Sequence, residues 1–563
     1  MKNTLFTIAA ICYAFSAMAA GEIINRNMEI SKNMDIFNAI YKELDLLYVD
    51  TIRPEKTIKT GIDEMLMSLD PYTNYIPDEE MDKLKLMTTG EYAGVGCIIG
   101  KHKDGILITE VYEGMPAYKA GIHVGDVITK INGESVSGIN VTEASEQLRG
   151  EAKTQAEVTI KRPDGKETNI TITREKIVIP AISYATEIED GIGYIFINGF
   201  TEKAAAQFKE AFLDLKENKK INKLIIDVRE NPGGILDEAV DIVNLFIDRK
   251  STVVYTKGKN AALNKTYKAQ RDPIDKDIPI VVLVNRNSAS ASEILAGSLQ
   301  DMDRAVIVGE RTFGKGLVQT TRDLPHGGSL KVTISKYYVP SGRCIQAIDY
   351  SKTNGKGYSQ RIPDSLTHEF KTLHGRSVRD GGGINPDIFE ADTVSSTAAY
   401  YLYEKNIIFD FVTEYEKKHT TLTSVKDINF SDKDYQEFKE FVKGKKFTYK
   451  LISEEIINSL KETLKEEGYA GYAEEEIKAL ENKIKHDIDT DLDLFKEEII
   501  KNIRLEIAKR YFYQIGMVQE SLNFDKCKDK AIEILNDPNR YHEILTNTDN
   551  KGNKEKKEGE NNK

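Results

Sequence analysis

Two short stretches hold residues whose types and spacing suit chemistry. The first is Asn285-Arg286-Asn287-Ser288-Ala289-Ser290-Ala291-Ser292-Glu293. It lies between an apolar strand pattern, Ile278 to Val284, and a helical pattern reaching about Met302. A serine there sits on a sharp, exposed turn. The first free N–H groups of the following helix point at whatever binds beside it and favour a developing oxyanion. Ser290-x-x-Glu293 equally fits a capping box, in which the serine only caps the helix. The second stretch is Gly309-Glu310-Arg311-Thr312-Phe313-Gly314-Lys315-Gly316, after the next strand pattern. If that strand neighbours Ile278 to Val284 in a sheet, its loop reaches the same edge. Lys315 can deprotonate a serine only if its pKa falls from about 10.4 toward 7. Burial among apolar groups and a nearby helix N-terminus both act in that direction. Gln319, four residues on, is a neutral group able to orient the lysine. Gly309-x-x-x-x-Gly314-Lys315 also fits a phosphate loop, but Gly316 stands where a Ser or Thr would hold Mg²⁺.

A third element is Asp227-Val228-Arg229-Glu230-Asn231-Pro232-Gly233-Gly234. Paired glycines after a strand let backbone approach a ligand closely. The stretch is either a tight turn with no further role or a donor site, with a Gly233 or Gly234 N–H beside that of Ala291. The eight histidines form no H-E-x-x-H, and no G-x-S-x-G elbow occurs. The histidine nearest in sequence to Ser290 and Lys315 is His326, in a hairpin-like turn.

The elements that must position these groups follow from periodicity. Residues 1–20 read as an export signal: Lys2, a short apolar run from Leu5 to Phe15, and an Ala17-Met18-Ala19 cleavage pattern. Residues 21–87 are helical in pattern, through Ile36, Ile40, Leu44 and Leu47, and then Ile62, Met65 and Leu69. Residues 88–177 switch to short strands with turns at Asn132-Gly133 and Asp164-Gly165. Residues 178–395 alternate strand and helix, an α/β core. Residues 396–547 are helical and rich in Glu and Lys, and the polar 548–563 tail is expected to be disordered. The chain has 563 residues, 40% of them apolar, enough for about three or four domains. Its net charge of −12 gives nucleic acid no basic surface to bind. No segment of the mature chain reads as a membrane span. Cys97, Cys344 and Cys527 are too few and too scattered for a disulfide scaffold, and read as buried free thiols. No CxxC zinc pattern occurs.

Several motifs together resemble the C-terminal processing, or tail-specific, peptidases (family S41). They are Leu69-Asp70-Pro71-Tyr72-Thr73-x-Tyr75, Gly90-Glu91-Tyr92-x-Gly94-Val95-Gly96, Pro116-Ala117-x-x-Ala120-Gly121-Ile122-x-x-Gly125-Asp126-x-Ile128, the two active-site stretches above, Tyr337-Tyr338-x-Pro340-Ser341-Gly342-Arg343 and Gly383-Ile384-x-Pro386-Asp387. The likeness runs from about residue 35 to 390. It implies a crotonase/ClpP-like ββα protease core at 178–395, an inserted PDZ domain at 88–177 and helical regions on either side. It also implies Ser290 as nucleophile, Lys315 as general base and Gln319 as its support, with Ala291, Gly233 and Gly234 around the oxyanion. Ser288 and Ser292 are then expected to hydrogen-bond at the helix start. The implied chemistry is acyl transfer without metal or organic cofactor. Tyr92, Gly94, Val95, Gly96 and Ile98 are implied to hold a peptide's carboxylate and add it as a strand. Partners are therefore proteins or peptides with apolar C-termini. A homodimer through the helical regions and an adaptor protein are further candidates, and the location is the periplasm or the secreted fraction. The rival is a PDZ-type peptide-binding scaffold without turnover.

Overall fold

The computed structural model describes residues 2–81, 88–353, 359–391, 395–419, 421–484 and 487–546. The tail expected to be disordered, 548–563, and the junction near residue 87 lie outside them. The described chain forms two units. The first comprises Met1–Ile76 and Thr321–Val332. It contains α1 (Lys2–Leu47), α2 (Pro54–Met67) and β1 (Asn74–Ile76). Proline opens α2, where a missing N–H costs nothing. The Asp70-Pro71-Tyr72-Thr73 turn is held by the Asp70 carboxylate, which accepts from the N–H groups of Tyr72 and Thr73. β1 then pairs antiparallel with residues 329–331.

The second unit begins with the 88–177 region. β2 (Glu91–Gly94) pairs with β9 (Glu175–Val178). Between them lie β3 (Cys97–His102), β4 (Gly105–Val111), α3 (Pro116–Lys119), β5 (Val127–Ile131), β6 (Glu134–Ser135), α4 (Val141–Leu148), β7 (Gln155–Lys161) and β8 (Glu167–Thr173). The sheet order is β3-β4-β5-β7-β8, which leaves β3 on an edge. Asn140 and Glu143 form a full capping box at the start of α4.

A six-stranded sheet follows, in the order β10-β11-β12-β15-β16-β23. It is built from β10 (Ile182–Glu189), β11 (Ile192–Ile197), β12 (Lys223–Asp227), β15 (Ile280–Val284), β16 (Val306–Gly309) and β23 (Ile388–Phe389). All neighbours run parallel except β10 with β11. The intervening helices are α5 (Ala204–Asn218), α6 (Leu236–Val243) and α7 (Ala291–Asp301). A second sheet joins β13 (Thr252–Lys257), β14 (Thr266–Lys268), β17 (Leu317–Asp323) and β18 (Ser329–Tyr338). Two separate hairpins follow, β19 (Ile348–Thr353) with β20 (Ser359–Arg361) and β21 (Glu369–Lys371) with β22 (Ser377–Arg379).

Strand alternation gives the six-stranded sheet two apolar faces. Leu224, Ile226, Ile280, Val282, Val284 and Ile307 pack with α5, α6 and α7. Ile225, Val281, Leu283, Val306 and Val308 face the other way. The C-terminal region covers them. It consists of α8 (Thr397–Glu404), α9 (Ile407–Lys418), α10 (Asp432–Gly444), α11 (Ile452–Glu466), α12 (Glu474–Ile484), α13 (Ile488–Leu494), α14 (Lys496–Ser521), α15 (Lys526–Asn536) and α16 (Pro538–Thr546). Cys527, Ala531, Ile534, Leu535 and Leu545 of α15 and α16 close the second face. Helices α8 to α10, α13 and α14 build a separate core around Phe411, Tyr435, Phe438 and Ile503. The same region reaches the 88–177 sheet, where Phe409 packs on Leu107 and Val127. Among the described residues no helix is long and apolar enough to cross a membrane. Cys97 and Cys344 are free thiols and partly exposed, whereas Cys527 is buried, its thiol 3.3 Å from Glu390 O.

Ile534 is wholly buried against the sheet. Its replacement by Ala should cost about 2–5 kcal/mol in chemical denaturation, because it opens a cavity in a shared core.

Candidate active site

Three loops meet at the carboxyl ends of β12, β15 and β16, the position where open α/β sheets bind ligands. β15 and β16 are adjacent and parallel, so the Asn285–Ser290 turn and the Gly309–Gly316 loop leave the same edge. Ser290 precedes α7 with φ 56° and ψ −112°, a conformation rare outside glycine. Its hydroxyl makes no helix-cap hydrogen bond. Only the reciprocal half of the box is filled, by the Ser290 N–H donating to Glu293 Oε2 at 2.9 Å. Ser290 is half-buried, while Ala291 is buried and, as the first helical residue, has an N–H without an intrahelical partner.

Ser288 and Ser292 do not bond at the helix start as expected. The Ser288 hydroxyl donates to Val228 O at 2.8 Å, and that of Ser292 to Asn231 O at 2.9 Å. They fasten the Ser290 turn to the loop after β12. That loop brings Gly233 so close that a Cβ there would lie 2.8 Å from Ser290 Cβ and 2.9 Å from Ala291 N. Only glycine fits, and its φ of 101° also requires it. The Gly233 N–H donates to Asn231 Oδ1 at 2.9 Å, so in this conformation it is turned into its own loop. Gly234 bridges to Phe200 as an isolated pair.

Glu293 joins the two stretches. It is fully buried and accepts from four donors: the Ser290 N–H, Thr312 Oγ1 at 2.5 Å, the Gly314 N–H at 2.8 Å and the Lys315 N–H at 2.9 Å. Those two loop N–H groups would face phosphate in a nucleotide site. Here an internal carboxylate fills them, and strand β17 rather than a helix follows, which removes the phosphate-loop reading. Tyr337, also buried, lies within hydrogen-bond reach of Lys315 O at 2.7 Å and Ser290 O at 3.1 Å. Lys315 is half-buried, and the Gln319 amide donates to Thr333 Oγ1 at 3.2 Å. His326 occupies the β17–β18 turn in the first unit, at φ 66°.

The loop after β12 is anchored by charge. Arg229 bonds both Asp227 oxygens, and Tyr194 donates to Asp227 at 2.7 Å. The far side of the guanidinium meets Asp525, at the start of α15. Sequence reading assigned no role to Glu293 beyond capping, and none to Tyr337, Arg229 or Asp525. Only the S-x-x-E spacing signalled the first.

In the 88–177 region, a small cleft between β3 and α4 is lined by Tyr92, Val95, Cys97, Ile99, Leu148 and Arg149. Of the residues expected there, Tyr92 and Val95 line it. Gly94 is paired in β2 with Glu175, and the Gly96 carbonyl accepts from Tyr112. Ile98 is exposed and does not line the cleft; Cys97 and Ile99, two apart on β3, share the face that does, and Ile98 lies on the opposite face. The Arg149 guanidinium lies 5.3 Å from the Tyr92 ring centre. Burial pushes the Cys97 thiol up to about 12, which leaves it a neutral wall of the cleft.

Burial likewise pushes the Glu293 carboxyl up to about 7, against the pull of its four donors. Between about 4.5 and about 7 the folded protein thus holds a proton that the unfolded chain has released. This group's contribution to stability is full below about 4.5 and is lost as pH rises through about 7. Glu293→Gln should remove that slope, so its melting temperatures at pH 5 and pH 8 should differ less than those of the unaltered protein.

The family described as peptidase family S41 matches residues 191–352. A PDZ domain matches residues 107–162, and a probable PDZ-protease C-terminal helical domain matches residues 398–535. The chain is similar to a carboxy-terminal-processing protease of Bartonella bacilliformis, at 35% identity over 62% of this chain and 81% of that protein. It is also similar to a probable CtpA-like serine protease of Staphylococcus aureus, at 31% identity over 82% of this chain and 91% of that one. Among solved structures it resembles a photosystem II D1 C-terminal processing protease, at 29% identity and a TM-score of 0.35, over 63% of this chain and 87% of that one. With these identities sustained over most of each relative's length, the chain belongs to the C-terminal processing peptidases, serine-type proteases of family S41 with a PDZ domain.

Proposed function

We propose that this peptidase uses Ser290 as nucleophile and Lys315 as general base to process or degrade exported proteins from their C-termini. The observation that supports it best is the Glu293 carboxylate, which takes the N–H groups of Ser290 and Lys315 on one oxygen. Neutral Lys315 removes the Ser290 proton as the hydroxyl attacks a peptide carbonyl. The tetrahedral oxyanion lies against the Ala291 N–H and the Gly233-Gly234 turn, with Gly234 the turn's donor while Gly233 serves Asn231. Lys315 then protonates the leaving amine, and water hydrolyses the acyl-enzyme. Gln319 supports the lysine from β17.

An apolar C-terminus adds to the free edge of β3, its last side chain in the cleft and its carboxylate near Arg149 and the Tyr92–Gly96 loop. The layout is an export signal at 1–20, a helical region at 21–87, the PDZ domain at 88–177, the protease core at 178–395 and a helical region at 396–547. The antiparallel β10–β11 pair followed by α5 supports a crotonase/ClpP-like ββα core. The signal places the enzyme in the periplasm or outside the cell. A homodimer through helical regions and an adaptor belong to the same reading.

The test is cleavage of an unfolded protein bearing an apolar C-terminus. Ser290→Ala and Lys315→Ala should each lower kcat by about three orders of magnitude or more while remaining folded. Cleavage at the wild-type rate by either variant would overturn the assignment and favour a peptide-binding scaffold. Arg149→Gln should raise KM for the same substrate roughly tenfold, since a charge-assisted bond contributes about 1.5–3 kcal/mol, with kcat little changed.

A further inference from the structure

Lys315 stands between two glycines, so hydrogen bonds rather than side-chain sterics must fix its backbone. Gly314 adopts φ 89°. Both glycines press on the next segment: a Cβ on Gly314 would lie 2.3 Å from Ala347 Cβ, and one on Gly316 2.8 Å from Gln346 N. The peptide groups around Lys315 are bonded one by one. The Gly314 and Lys315 N–H groups donate to Glu293. Gly314 O accepts from the Ala347 N–H at 2.8 Å, and the Gly316 N–H donates to Gln346 Oε1 at 2.7 Å. Gly316 O accepts from the Tyr337 N–H at 3.0 Å, and the Phe313 N–H donates to Ser288 O at 3.1 Å. The Lys315 carbonyl accepts from the Tyr337 hydroxyl at 2.7 Å, and the same hydroxyl lies 3.1 Å from Ser290 O. Ser290 O also accepts the Ile294 N–H at 2.9 Å, within the first turn of α7. The one hydroxyl proton is therefore shared, weighted to the nearer Lys315 O. Tyr337 is 1% exposed, and its ring belongs to the same core as Ile294 and Leu295. It comes from β18, an element separate from both active-site stretches.

We infer that Tyr337 is a positioning residue for peptide-bond cleavage: its hydroxyl sets the spacing of Ser290 and Lys315 from their carbonyl side, as Glu293 sets it from their N–H side. Proton transfer requires the lysine Nζ within hydrogen-bond reach of the serine Oγ. Nζ is the far end of a flexible four-carbon stem, so a small rotation at the Lys315 backbone is magnified there. The remaining bonds decide what a lost hydroxyl would do. Phenylalanine at 337 keeps the ring in its core and keeps the N–H that serves Gly316 O. Glu293, Ala347, Gln346 and the Phe313–Ser288 bond still hold the loop in place. What goes is the link between the two carbonyls, so the loss is one of alignment and not of folding. The effect should fall on kcat. The peptide cleft lined by Tyr92, Cys97 and Arg149 contains neither Tyr337 nor Lys315, so KM should hold.

This inference rests on Ser290 as nucleophile and Lys315 as base, and the experiment separates the two. Tyr337→Phe removes the hydroxyl alone. Tyr541→Phe is the control, since it removes another buried hydroxyl, one that bonds Ile280 N at 2.9 Å and Ile280 O at 3.1 Å on the same sheet, and leaves the two loops untouched. Each variant is assayed for kcat and KM on an unfolded protein with an apolar C-terminus, with rates divided by the folded fraction from near-UV circular dichroism. Tyr337→Phe should lose about tenfold in kcat at unchanged KM, as expected for a misalignment well short of 1 Å. Tyr541→Phe should lower the melting temperature and leave kcat as it is. If Tyr337→Phe matches wild type per folded molecule, if its loss falls on KM and not on kcat, or if Tyr541→Phe loses kcat equally, Tyr337 only packs and the inference fails. If Ser290→Ala or Lys315→Ala still cleaves at the wild-type rate, the catalytic reading has failed instead.

Discussion

Glu293 is a carboxylate with no access to water and four donors aimed at it. Burying such a group costs several kcal/mol unless its oxygens are filled. Every donor that fills them comes from one of two loops, the turn at Ser290 or the segment Thr312 to Lys315. Neither loop can leave without stranding the carboxylate, so the penalty for a misplaced loop is large and local. This explains how Ser290 can be held at φ 56°, a conformation costing of order 1–3 kcal/mol. Its N–H is bound by Glu293 and its carbonyl is met by Tyr337, so the strained residue is gripped on both sides. The hydroxyl is left out of the grip.

The rest of the core serves this arrangement by bringing β12, β15 and β16 side by side. Their alternation needs apolar cover on both faces. Helices α5, α6 and α7 supply one face from within the protease sequence. The other is closed by α15 and α16, pinned where the Tyr541 hydroxyl accepts from Ile280 N at 2.9 Å. The helical region thus completes the packing of the sheet. It is part of the protease core at one end, and at the other it packs Phe409 on the PDZ domain, beneath the Arg510 guanidinium at 4.1 Å. Tyr513 breaks α14 between these two contacts, with φ 56° and ψ −155° inside the helix.

The strands and helices around the site were legible because each carries a strong periodic pattern. β15 reads Ile-Val-Val-Leu-Val, and α7 starts at the serine-rich turn that ends it. A shared edge for the Ser290 and Lys315 loops was conditional on β15 neighbouring β16, and the two strands do pair in parallel. The role of Glu293 was not legible, since S-x-x-E reads the same whether the carboxylate caps one helix or ties two loops. Asp525 gave no signal, as nothing local distinguishes a helix-capping aspartate from one that also meets a distant arginine. Ile98 lies on the edge strand β3, as the motif implied, while ordinary strand alternation puts its neighbours Cys97 and Ile99 on the face that lines the cleft. For the C-terminal helices the apolar faces were visible, but periodicity says that a face is covered and not what covers it.

The closing of the sheet's second face has a consequence in time. A chain is made from its N-terminus at about 5–20 residues per second, and contacts between distant segments form late. Lys223 meets Asn536 across 313 residues. Until α15 and α16 have emerged, Ile225, Val281, Leu283 and Val308 lie bare. The nascent polypeptide therefore carries Ser290 and Lys315 for seconds to tens of seconds before the second face of their sheet is closed, a delay written into chain order rather than into any removable inhibitor.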